Sequence, residues 1–116
     1  MEESGGPEVE GRNLEDLEDK LKKLLSSLKD WERKSVAKVG GVVVELVKMP
    51  KRESRKAMEP ERLVLHIRLE NSFRGIFIRD SRDLEDLGKA VDTKIVRDIA
   101  RVLDKMNREK VIEYEL

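Results

Sequence analysis

The sequence predicts an α+β domain in which an N-terminal helix and two C-terminal helices pack on a four-stranded antiparallel sheet. Three observations carry that prediction. Leucines recur at helical spacing in the first third of the chain, β-branched and alternating runs fill the middle, and two capped helical patterns close it. At 116 residues the chain suits one domain, because two would fall below the usual size.

Residues 1–12 contain Gly5, Gly6, Pro7 and Gly11 without apolar periodicity and are expected to form a disordered tail. Asn13 is placed to cap a helix, its side-chain oxygen accepting from free amides of the first turn, where Glu15 and Asp16 suit the positive end of the dipole. Leu14, Leu17, Leu21, Leu24, Leu28 and Trp31 follow at spacings of 3, 4, 3, 4 and 3, which predicts a helix to about Lys34. Such a stripe needs a cover. The sheet is one, and a second copy of the chain is the other, giving a homodimer through these six residues.

From Ser35 the period becomes that of strands. Val36 to Val39 and Val42 to Met49 read as a hairpin around Gly40-Gly41, since glycine takes the positive φ of a tight turn. Continuation of the first helix to Val39, with Gly40 as its C-cap, is the alternative. Pro50 closes the second run. Arg62 to Glu70 alternates, with Leu63, Leu65, Ile67 and Leu69 on one face and Arg62, Val64, His66, Arg68 and Glu70 on the other. Asn71-Ser72 turns into Phe73 to Arg79, which predicts an antiparallel pair.

Asp80 or Ser81 caps a helix carrying Leu84, Leu87 and Val91, and Asp92-Thr93 caps another carrying Ile95, Val96, Ile99, Val102, Leu103 and Met106, with Asn107 as its stop. The domain thus spans residues 13–107, and 108–116 form a tail or short edge strand. One sheet face is left to solvent or a ligand.

Composition narrows the function. Charged residues reach 43% and hydrophobic ones 38%, no apolar run approaches a membrane span, and the opening residues lack the features of a signal peptide, so a cytoplasmic location without membrane association is expected. Cysteine is absent and His66 is the sole histidine, which removes thiolate and two-imidazole sites; neither an enzyme, a metal nor a cofactor is expected. The acidic pairs Glu15-Asp16, Glu18-Asp19 and Glu85-Asp86 read as solvated or capping charges, and Gly40-Gly41 is too short for a phosphate loop. Glutamine is absent and asparagine occurs three times, a pattern that fits a hyperthermophilic archaeon.

Net charge is zero but unevenly spread: −4 over residues 1–30, +1 over 31–47, +5 over 48–82 and −2 over 83–116. The central bases are Lys48, Lys51, Arg52, Arg55, Lys56, Arg62, Arg68, Arg74, Arg79 and Arg82, seven of them arginine, whose planar fork suits phosphate and whose face stacks on bases. With Leu63, Leu65, Ile67 and Leu69 turned to the helices, Arg62, His66 and Arg68 face outward together. Interleaved with Phe73 and Phe77, they form the pattern single-stranded DNA or RNA needs, with cations for phosphates and plates for bases. A solvated ion-pair network accounts for the same charges, and the phenylalanines serve equally as core, their sheet face being undetermined by parity. His66 reads as well as an ordinary surface or packed histidine, and Trp31 as core, interface or cleft wall.

This order, a Leu14 to Trp31 helix, Val42 to Met49, a basic loop, Leu63 to Glu70, Phe73 to Arg79 and two closing helices, resembles the ThermoDBP-related family of archaeal single-stranded nucleic-acid-binding proteins over residues 13–107. The resemblance implies a helix on a four-stranded antiparallel sheet, with a cleft holding single strands by basic and apolar side chains. Some members assemble through a C-terminal leucine zipper, and this chain departs from them in lacking heptads after Met106. The strands Arg62 to Arg79 followed by the Ser81 to Val91 helix are also similar to PC4-like coactivators, which bind single strands as dimers. The expected function is therefore weakly specific binding of single-stranded nucleic acid. Its alternative is a protein assembly subunit using the leucine-rich helix.

Overall fold

The computed structural model describes residues 11–110, and side chains over 14–108. Most of the expected N-terminal tail and the ending Val111 to Leu116 lie outside these. Described elements run α1 (Gly11–Ser27), β1 (Arg33–Val39), β2 (Val42–Met49), β3 (Arg52–Glu53), β4 (Met58–Glu59), β5 (Arg62–Leu69), β6 (Gly75–Ile78), α2 (Ser81–Val91) and α3 (Lys94–Lys110). The α+β class holds, with a four-stranded antiparallel sheet of order β1-β2-β5-β6 and a separate β3-β4 ribbon. The residues divide into two compact units, one ending at Phe77 and the other beginning at Ile78. None of the described helices is long and apolar enough to cross a membrane.

Several boundaries differ from expectation. α1 begins at Gly11, so Asn13 lies inside the helix and does not cap it. It ends at Ser27, seven residues before the expected Lys34. Its last turn explains the early stop: Ser26 and Ser27 hydroxyls donate to the carbonyls of Lys22 and Leu24, the local competition that weakens helices at serine. The Lys48 ammonium then donates to the carbonyls of Leu25 (2.8 Å) and Leu28 (2.9 Å), capping the negative end from β2. Asn107 does not stop α3, which continues to Lys110, because a single asparagine costs a helix only about 0.7 kcal/mol.

The Gly40-Gly41 hairpin forms as read, with Gly40 at φ 56°, and the continuous-helix alternative is overturned. A bulge between Ser35 and Ala37 shifts the β1 register. β2 and β5 pair without interruption from Val42↔Leu69 to Met49↔Arg62. At β6, a Cβ on Gly75 would lie 2.1 Å from the Ile67 carbonyl oxygen, so the close backbone approach requires glycine.

The burial of the two sheet faces reverses the expectation. Leu63, Leu65 and Ile67 are only half-buried and Leu69 is exposed. They share their face with Lys48, opposite Leu63, and so with the docked end of α1. The other face carries Val43, Glu45 and Val47 of β2 against Arg68, His66 and Val64 of β5. There Val43, Val47, Glu45 and His66 are all buried. Phe77 lies on that face too, its ring centroid 4.5 Å from that of His66.

Candidate nucleic-acid interface

The expected outward row of Arg62, His66 and Arg68 does not exist as a free surface. Its centre is Glu45, 2% exposed, whose Oε2 accepts from Arg33 Nη1 at 2.7 Å, His66 Nδ1 at 2.9 Å and Arg68 Nε at 3.0 Å. Burial pushes the Glu45 carboxyl upward. Hydrogen bonds from Arg68 and His66, with the charges of Arg68 and Arg33, outweigh this and hold it below the ordinary carboxylate value. Arg68 also donates to the carbonyls of Leu69, Glu70 and Ser72, fastening the turn after β5. His66 is 2% exposed, a packed histidine and not a ligand contact.

Other nominated cations are similarly engaged. Lys48, 6% exposed, caps α1 and lies 3.3 Å from Glu61. Arg79 makes two side-chain bonds to Asp83, which hold the Asp83 carboxyl below its usual range. Lys51 pairs with Glu53, and Arg62 stands 3.8 Å from Glu59. Arg52, Arg55, Lys56 and Arg74 are exposed and make no ion pair among the described residues. Phe73 is 83% exposed and Phe77 is partly so, and only the latter joins the buried cluster.

Trp31 is the residue whose place sequence reasoning missed. It does not continue the α1 stripe. It sits in the connection to β1 in the left-handed region, φ 68°, and is the sole non-glycine residue there among those described. A bulky side chain at positive φ is a strained outlier that its surroundings must hold in place. They do: Trp31 N donates to the Lys48 carbonyl at 2.7 Å, Lys48 N donates to the Glu32 carbonyl at 3.0 Å, and Glu32 Oε1 accepts from Lys29 N. The indole remains 56% exposed.

Around it lies a pocket of about 320 Å³ lined by Trp31, Met49, Pro50, Lys51, Arg52 and Arg62. Arg62 Nη1 is buried without an acceptor among the described residues, an unmet donor that costs about 1–3 kcal/mol. Arg52 also lines a neighbouring depression with Ser54, Ala57 and Glu59. That depression belongs to the β3-β4 ribbon, where the expectation was a long loop. The Ser54 hydroxyl and Ala57 backbone close its turn, so Arg55 and Lys56 stand at the tip. The surface therefore runs from an aromatic plate, along Arg52, to an exposed basic turn.

The interface expected along α1 is partly consumed. Leu28 is buried and Leu21 and Leu24 are half-buried, leaving Leu14 and Leu17 exposed, while Trp31 is off the helix. Neither a protein-family model, a curated protein nor a solved structure matches the chain.

Proposed function

We propose that this chain binds single-stranded DNA or RNA with little sequence specificity, and that the contact surface is the Trp31 pocket with the β3-β4 ribbon. A base stacks on the exposed indole beside Met49 and Pro50. Phosphates lie along Lys51, Arg52, Arg62, Arg55 and Lys56. The observation that carries the reading is a tryptophan held open at strained backbone geometry in a pocket walled by three cations. Strain is retained where the surroundings enforce it, and ligand sites are where such residues gather. Base-aromatic stacking tolerates any sequence because every base has a π-face. The element order that resembles archaeal single-strand binders points to the same ligand class. On this reading the chain binds without carrying out chemistry.

Trp31 is the only tryptophan, so its fluorescence reports the site directly. Titration with oligo-dT or oligo-U is expected to quench it. Because Glu53 and Glu59 offset part of the positive charge, three to four neutralised phosphates give a log-affinity against log-salt slope of about −2 to −3. Unchanged emission and no association at low salt would reject the proposal.

A further inference from the structure

The C-terminal helix carries an apolar stripe that the described fold leaves open. Along α3, Ile95, Val96, Ile99, Val102, Leu103 and Met106 are each between 42% and 64% exposed. Ile95, Ile99, Val102 and Met106 follow at spacings of 4, 3 and 4, the seam of a helix pair, with Val96 and Leu103 widening it on one side. On the opposite flank stand Asp98 and Lys105, seven residues apart.

We propose that a second copy of this chain covers the stripe, the two α3 helices crossing antiparallel about a two-fold axis between Ile99 and Val102. The flanks select both occupant and direction. In an antiparallel pair each flank meets its own kind, so Val96 meets Leu103 of the other copy and Asp98 meets Lys105, and each contact occurs twice by symmetry. In a parallel pair Asp98 would face Leu103, a carboxylate set against an apolar side chain with no cation to meet it. Asp98 bonds Lys94 within its own helix at 2.6 Å, but exposed pairs of that spacing are worth only about 0.3–0.5 kcal/mol and yield to a partner's lysine. The stripe shares no residue with the lining of the Trp31 pocket, and the proposal does not depend on nucleic-acid binding.

The test is a charge swap read by sedimentation equilibrium of the full chain. The wild type is expected to be dimeric at micromolar concentration. Asp98→Lys sets two positive charges against each other where Lys105 meets it and weakens the dimer by about tenfold or more, and adding Lys105→Asp restores it. Ile99→Glu with Val102→Glu gives a folded monomer. Oligonucleotide quenching of Trp31 persists in the single swap. A monomeric wild type overturns the proposal, and so does a dimer indifferent to the swap. Loss of helical circular dichroism in the glutamate variant of a monomeric wild type has the same force, since the chain then covers the stripe itself.

Discussion

Two arginine-bearing regions of this molecule behave in opposite ways. On the β2-β5 face, Arg33, Arg68 and His66 converge on one buried carboxylate, and their donors are spent within the protein. Around Trp31, Arg52 has no ion partner among the described residues, and Arg62 keeps a distant glutamate and an unmet donor. Arginine count is similar in both places. What differs is the supply of local acceptors: a single inward glutamate turns a row of guanidinium groups into structural material, whereas a cation without such an acceptor keeps its donors for a ligand. Positive charge marks an interface only after the acceptors around it have been counted.

The largest effect comes from removing the acceptor. Glu45→Ala leaves Arg33, Arg68 and His66 clustered without their counter-charge, and is expected to destabilise the fold by about 3–5 kcal/mol in urea unfolding. The same carboxyl sets an acid response. Its folded value lies below the unfolded one, so its contribution is present above 4.5 and is lost as pH falls through the folded value. The variant's stability is then flatter than the wild type's across that window. Next in size is Lys48→Ala, which frees the Leu25 carbonyl of α1 and the Leu28 carbonyl just past its end and removes a buried cation, for a loss of about 2–3 kcal/mol, read as reduced helical signal and midpoint.

The Trp31 corner gives the reverse pattern. Trp31→Gly relieves the positive φ, so thermal stability is maintained or raised, while oligonucleotide affinity drops by about 1–3 kcal/mol as measured by anisotropy. A fall in both together would make Trp31 a packing residue and erase the contrast between the regions. Smallest is the pair Arg55→Ala and Lys56→Ala, for which the salt slope is expected to shrink by about 1.4 with stability unaltered.

Much of the fold was legible because it rests on local spacing. The Gly40-Gly41 turn, the alternation from Arg62 to Leu69 and the period of α2 and α3 each declare themselves within a dozen residues. Parity also stated correctly which side chains share a face. It could not state which face is covered, because burial is decided by elements far away in sequence. The leucines of β5 look like core by hydropathy, yet His66 opposite them is the more buried, since Glu45, 21 residues earlier, satisfies it. The end of α1 was misplaced for a like reason. Leu28 and Trp31 extend the leucine spacing perfectly, and the helix is ended instead by serine hydroxyls bonded to its own carbonyls and by a lysine from the following hairpin. The pocket at Trp31 left one usable signal, a tryptophan followed by a charged strand start and later Pro50-Lys51-Arg52, but nothing local reveals the positive φ.

The lysine cap also bears on the order of assembly. Because the group that completes α1 resides on β2, the helix end lacks its partner until the β1-β2 hairpin exists. Closing that hairpin needs only a two-glycine loop, a microsecond event for a short chain segment. Docking of the helix end spans some twenty residues more and depends on its product. Substitutions at Gly40 are therefore expected to slow the refolding rate, whereas substitutions at Lys48 act mainly by hastening unfolding.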